Sequence, residues 1–193
     1  MADSARKMTV DAFLDWCTRQ EDERYEFVDG MPVLMVGATD QHDQIVVNLI
    51  GELRARLKGT PCAPRTADQA VKTKSDQRVR RPDVLVDCGP RPPKGLYSQT
   101  PTVVFEVLSP STENVTFSSK LDEYKGIASM RHVVLLDQNK PFLLHYARAA
   151  NDSWTEMELA GVEAVLELDA IGVMLPLSEI YADVSFEAAP DED

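Results

Sequence analysis

The chain has 193 residues, 44% hydrophobic and 27% charged, a balance that supports a packed core and excludes a low-complexity or disordered protein. No run of about 18 apolar residues offers a membrane span, and Met1-Ala2-Asp3-Ser4-Ala5-Arg6-Lys7 carries no apolar signal segment, so a cytoplasmic location without a membrane partner is expected. The net charge of −12 is unevenly divided: residues 54–94 hold 11 basic and 4 acidic side chains, whereas residues 151–193 hold 12 acidic and none basic.

Thr9 is placed to cap a helix running through Val10, Phe13, Leu14 and Cys17, with Asp11 in its first turn where the helix dipole favours an acid. Tyr25-Glu26-Phe27-Val28 then alternates as a strand, Asp29-Gly30 is a hairpin turn signal, and Met31 to Val36 returns antiparallel. Ile45, Val46, Leu49, Ile50, Leu53 and Leu57 follow helical spacing and predict an amphipathic helix from His42 to Leu57. Strands are predicted near Gln69–Lys74, Pro82–Asp87 and Thr102–Leu108, with Pro-rich Gly89–Gly95 as the loop between the last two. A helix over Ser118–Ile127 and strands at His132–Leu136, Phe142–Ala147 and Trp154–Leu159 complete the core. The order is α+β: one domain over residues 1–187 with a central mixed sheet flanked by helices, then an acidic tail, 188–193, expected to be disordered. Cys17, Cys62 and Cys88 are odd in number and widely spaced, and read as reduced thiols with no disulfide.

The chemistry concentrates on two strands. Asp83 stands at the mouth of Arg81-Pro82-Asp83-Val84-Leu85-Val86, and Glu106 lies inside Thr102-Val103-Val104-Phe105-Glu106-Val107-Leu108. A carboxylate among β-branched and apolar neighbours costs roughly several kcal/mol to desolvate unless it is paired, and a divalent metal is a partner that two carboxylates share well. Lys120 follows on the next predicted helix, with Tyr124 one turn later on the same face. Two acids and a lysine suit metal-assisted phosphodiester hydrolysis. Lys72, Lys74, Arg78, Arg80 and Arg81 lead directly into Asp83 and form a candidate nucleic-acid-binding strip, against the plainer reading of a solvated basic loop. His42, in the first turn of its helix beside Asp40 and Asp43, is a candidate accessory residue or a surface histidine.

The succession Tyr25-Glu26-x-x-Asp29-Gly30, His42, Arg81-Pro82-Asp83-Val84, Phe105-Glu106-Val107-Leu108-Ser109-Pro110-Ser111-Thr112, Lys120 and Tyr124 resembles the Uma-two family, a group of endonuclease-like proteins in the PD-(D/E)XK restriction-endonuclease-like superfamily. The resemblance spans about residues 10 to 182. It implies that Asp83 and Glu106 bind the metal, with the Val107 carbonyl as a further ligand and Glu26 as an additional catalytic acid. The superfamily's usual lysine, two residues after the Glu, is replaced by Leu108, and the resemblance assigns its role to Lys120. Relatives commonly carry an Asp four residues before that lysine, where this chain has Thr116. The expected function is therefore a Mg²⁺- or Mn²⁺-dependent endonuclease acting on DNA, with a homodimer as one assembly. The alternatives are a catalytically silent nucleic-acid-binding module and a self-associating interaction protein on the same fold.

Overall fold

The computed structural model describes residues 8–20, 22–35, 37–74, 77–108 and 116–186. The expected acidic tail and the stretch from Ser109 to Ser111 lie outside them, as do the side chains of Lys74 and Thr116. Helix α1 (Val10–Cys17) opens as predicted: Thr9 Oγ1 accepts the Ala12 N–H at 3.2 Å. Strands β1 (Tyr25–Val28) and β2 (Met31–Leu34) form the hairpin, and Asp29 and Gly30 take φ of 51° and 90°. Two successive positive φ angles are what a two-residue hairpin loop requires, and Asp-Gly adopts them at little cost. Helix α2 (Asp40–Arg56) starts two residues before the predicted His42, because Thr39 Oγ1 caps it by accepting the His42 N–H at 3.2 Å.

Next come β3 (Ala63–Thr66), β4 (Val71–Lys74), β5 (Arg78–Arg80), β6 (Val84–Asp87), β7 (Pro101–Leu108), α3 (Thr116–Lys125), β8 (His132–Asp137), β9 (Phe142–Arg148) and β10 (Trp154–Ala160). The chain then adds β11 (Val165–Leu168), a 3₁₀ turn (Asp169–Ile171), β12 (Val173–Pro176) and α4 (Leu177–Ile180). Strands β2-β1-β5-β4 make one antiparallel sheet, and β10-β9-β8-β7-β6-β3 a second sheet whose β7–β8 pair alone is parallel, giving the expected central mixed sheet. One face of that sheet, with Val84, Val86, Phe105, Val107, Val134 and Leu136, packs on Ile45, Leu49 and Leu53 of α2 and on the β11–β12 hairpin. Each of those fully buried α2 side chains contributes roughly 1.5–3 kcal/mol relative to exposure. The other face, with Leu85, Val104, Val133 and Leu135, packs on Tyr124 of α3. Among the described residues no helix is long and apolar enough to cross a membrane.

The cysteine expectation needs correction. Cys62 and Cys88 are joined in a disulfide, and Cys17 is the free thiol. The reason is register: β3 pairs antiparallel with β6 through Ala63↔Asp87, so the next position outward sets Cys62 against Cys88, with Cα atoms 3.9 Å apart. β3, which was not foreseen because Ala63-Pro64-Arg65-Thr66 has no strand-like alternation, is what brings them together. By loop closure over a separation of 26 residues, the cross-link stabilises the fold by about 3 kcal/mol. Thiol titration of unfolded, unreduced protein is therefore expected to find one thiol per chain, and Cys62→Ser to lower the urea midpoint accordingly. Three titratable thiols, with an unchanged midpoint in the variant, would show the bond is absent.

Candidate active site

Strand register assembles the acids. β1 and β5 pair antiparallel at Phe27↔Val79, so one step along sets Glu26 opposite Arg80. β6 and β7 pair antiparallel at Val84↔Phe105, so one step beyond the end of β6 sets Asp83 opposite Glu106. Continuing that register to Val107 brings it opposite Pro82, which has no N–H to offer its carbonyl. The Val107 N–H donates instead to Asp83 Oδ2 at 2.8 Å, and in an extended strand the carbonyl of the same residue projects to the same side.

Helix α3 lies over these strand ends. Lys120, Glu123 and Tyr124 are three and four residues apart and so share one helix face. Lys120 Nζ sits 3.0 Å from Glu26 Oε1 and 3.6 Å from Glu106 Oε1, and the Tyr124 hydroxyl donates to Glu106 Oε1 at 2.7 Å. Both therefore address one oxygen of Glu106, and its Oε2 has no hydrogen-bond partner among the described residues. From the opposite face of the sheet, His42 Nε2 approaches Asp83 Oδ2 at 3.3 Å. The structure thus brings Asp83, Glu106, Val107, Lys120, Glu26, Tyr124 and His42 together.

Electrostatics fix their states. Burial pushes the Glu106 carboxyl up; the Lys120 charge opposes this, while Asp83 and Glu26 reinforce it, and the result is about 7. Burial disfavours the Lys120 ammonium, but Glu106 and Glu26 outweigh it and raise its pKa further, so Lys120 is a permanent cation. His42 is raised as well, its burial overcome by the Asp83 hydrogen bond and the charges of Glu106 and Asp43. Tyr124, buried beside Glu106 and Glu26, is held well above the ordinary phenol value and stays a donor.

Four residues of the basic strip, Lys72, Arg78, Arg80 and Arg81, have partners within the fold. Arg80 is 3% exposed: its Nη1 donates to Glu26 Oε2 at 2.9 Å, and its Nε and Nη2 grip Glu123 at 2.7 Å each. Arg78 bridges Glu123 and Asp29, and Thr73 Oγ1 adds a fourth donor to Glu123 at 2.9 Å. Arg81 is buried, donating to the carbonyls of Tyr25, Ala67 and Asp68. Lys72 pairs with Asp11 at 3.1 Å and lies over the Tyr97 ring. Arg80 and Arg81 are buried and must satisfy their donors internally, and the partly exposed Arg78 is held by Glu123 and Asp29, so these arginines are engaged within the fold. The sequence reading missed Glu123, although its place three residues after Lys120 was the available signal.

The central mixed sheet flanked by helices gives the protein a restriction-endonuclease-like fold. A crystal structure described as a putative nuclease belonging to DUF820, from Anabaena variabilis, shares this fold with a TM-score of 0.70, at 17% identity, over 90% of this chain and 97% of that one. The family model described as "Putative restriction endonuclease", Uma2, matches residues 10–178, and the chain belongs to that family. Two uncharacterized proteins of Synechocystis sp. are similar along most of their length: slr1290 is 29% identical over 181 residues, 93% of this chain and 94% of that protein, and sll1609 is 26% identical over 152 residues, 77% and 85%.

Glu123 offers a direct test of the ion-pair cage. Burial works to raise its pKa, but hydrogen bonds from Arg80 and Arg78 overcome this and hold it at about 2, below the ordinary 4.5. A carboxylate depressed on folding adds stability above about pH 4.5 and loses it as the pH falls toward 2. Glu123→Gln should therefore cost about 3 kcal/mol at pH 7, with the gap to the parent closing as the pH approaches 2. Equal urea midpoints at pH 7 would mean that the cage contributes no stability.

Proposed function

We propose that this protein is a metal-dependent endonuclease that hydrolyses phosphodiester bonds in DNA, with Asp83, Glu106 and the Val107 carbonyl as the ligands of a Mg²⁺ or Mn²⁺ ion. The observation that carries this reading is the lysine between two acids: Lys120 reaches Glu26 and Glu106 from α3 and stands over the strand end where Asp83 lies. Leu108, two residues after Glu106 and so on the same side of β7, packs against the cluster around Tyr124, which leaves Lys120 as the cation at this position.

The donor set fits a hard divalent cation. The carboxylates Glu26, Asp29, Asp83, Glu106 and Glu123 outnumber the cations Arg78, Arg80 and Lys120, and burial, with Asp83 and Glu26 beside it, raises Glu106 against the pull of Lys120, a cost that a divalent ion would relieve. Among the described residues no three His, Cys, Asp or Glu side chains form a ready metal cage. That suits Mg²⁺, which is commonly held by one or two carboxylates and completes its shell with water and substrate oxygens. When bound, such an ion supplies an acidified water and neutralises charge on the phosphate.

The chain's own residues do the rest. Lys120, permanently protonated, cannot act as a base; it donates to the attacking water or to a non-bridging phosphate oxygen as charge builds there. Glu26, gripped by Arg80, tethers the Lys120 ammonium and limits its motion. Tyr124 holds one oxygen of Glu106 so that the other is presented to the site, and His42 with the Val107 N–H orients Asp83 in the same way.

Asp83→Asn and Glu106→Gln remove charge without changing size. Each is expected to lower Mn²⁺ affinity in isothermal titration by at least about tenfold and to abolish cleavage of plasmid DNA. Parent-like Mn²⁺ binding in both variants would remove these acids from the metal site and the nuclease reading with them.

A further inference from the structure

With Lys72, Arg78, Arg80 and Arg81 engaged internally, the positive charge that faces solvent lies elsewhere. Helix α2 and edge strand β3 form a seam holding two hollows end to end. The first, about 780 Å³, contains His42 and Asp83 and is rimmed by Asp22, Glu23, Asp43 and Asp68, with Arg24, paired with Asp68, as its one arginine or lysine among the described residues. The second, about 550 Å³, is bordered by Gly51, Ala55, Gly59 and Ala63 and carries Arg54, Lys58 and Arg91, with no carboxylate in its wall. All three cations are exposed, and none is in an ion pair among the described residues. Arg56, between the first two, is by contrast tied to Glu52 and Glu179.

We infer that Arg54, Lys58 and Arg91 bind the phosphate backbone of a nucleic acid strand that runs along the α2–β3 seam toward the Asp83 end. The inference rests on the endonuclease reading for the identity of the polyanion. Arg54 and Lys58 also complement the negative end of α2, but that does not account for Arg91, which arrives from a separate loop. That loop is tied down at both ends. Asp87 accepts N–H groups from Gly89 and Gln99 and the Ser98 hydroxyl, the Cys62–Cys88 bond anchors its start to β3, and Arg91 itself donates to the Pro61 carbonyl at 3.3 Å. Small residues on the helix side allow close approach: a Cβ added at Gly51 or Gly59 would meet nothing within 4 Å. From His42 to Arg54 is twelve helical residues, roughly 18 Å, the span of about five phosphates along one strand. The acidic half of the seam suits a cation and the basic half an anion, which gives the strand a fixed register on a protein whose net charge is −12.

The test reads binding, so it does not depend on cleavage. Anisotropy of a labelled 12-base-pair DNA duplex in EDTA, over a series of salt concentrations, is compared between the full-length parent and the Arg54→Ser/Lys58→Ser/Arg91→Ser variant. The variant should bind at least about tenfold more weakly at low salt, with a log–log salt slope shallower by about three. An Arg19→Ser/Arg131→Ser/Lys140→Ser control, which removes the same charge from exposed sites outside the seam, should keep the parent slope. Equal slopes in parent and seam variant, an equal loss in the control, or no binding by the parent would each overturn the inference. A seam variant that loses binding in a protein that neither cuts DNA nor takes up Mn²⁺ would uphold the seam and sink the nuclease reading instead.

Discussion

One buried guanidinium organises the centre of this protein. Arg80 spends its donors on Glu26 of β1 and Glu123 of α3, and so ties the four-stranded sheet to the helix that lies over the six-stranded one. The contact is nearly solvent-free, and removing either acid would leave buried guanidinium N–H groups without their acceptor, an effect of roughly 1–3 kcal/mol. Because Glu123 is three residues from Lys120 and adjacent to Tyr124, the contact that docks α3 also sets where the ammonium and the phenol point. Stability and site geometry share one interaction here, which is why a lysine carried on a helix can be held as closely as one on a strand.

Much of this was legible in the sequence. Helix α2 was plain from its 3.6-residue spacing, the first hairpin from Asp29-Gly30, and β7 from an apolar run interrupted by a single Glu. Asp83 and Glu106 stood out because carboxylates in such runs require a partner, and the structure sets them opposite each other. That signal is not specific by itself: Asp87, at the far end of β6, is as buried as Glu106 and is satisfied by the loop it supports. What the sequence concealed were partnerships set by register between distant segments. The Cys62–Cys88 bond depends on a four-residue strand containing a proline, and Arg80 reads as a nucleic-acid contact until β1 and β5 are paired. Beyond residue 160, β11, β12 and α4 are too short to announce themselves by periodicity, yet Leu166, Leu175, Leu177 and Ile180 close the core over α2.

Charge distribution changes meaning once the chain is folded. The basic excess of residues 54–94 divides into an inward group, which neutralises Glu26, Glu123 and Asp29, and an outward group at the end of α2 and on the following loop. Composition cannot separate the two, because a buried arginine and a phosphate-binding arginine look alike in sequence. Under the proposed reaction the two groups have complementary duties: the inward one stiffens the site, and the outward one holds substrate at a distance from it.

The central claim is that the ammonium needed beside Glu106 has moved from the strand to α3. Turnover of DNA by Lys120→Met, with and without Leu108→Lys, tests it most directly, because Leu108 projects from β7 on the same side as Glu106 and toward the same cluster as Tyr124. The account predicts that Lys120→Met cuts at least about a hundredfold more slowly at nearly unchanged Mn²⁺ affinity, and that Leu108→Lys in that background restores part of the rate. Parent-like cleavage by Lys120→Met would contradict it.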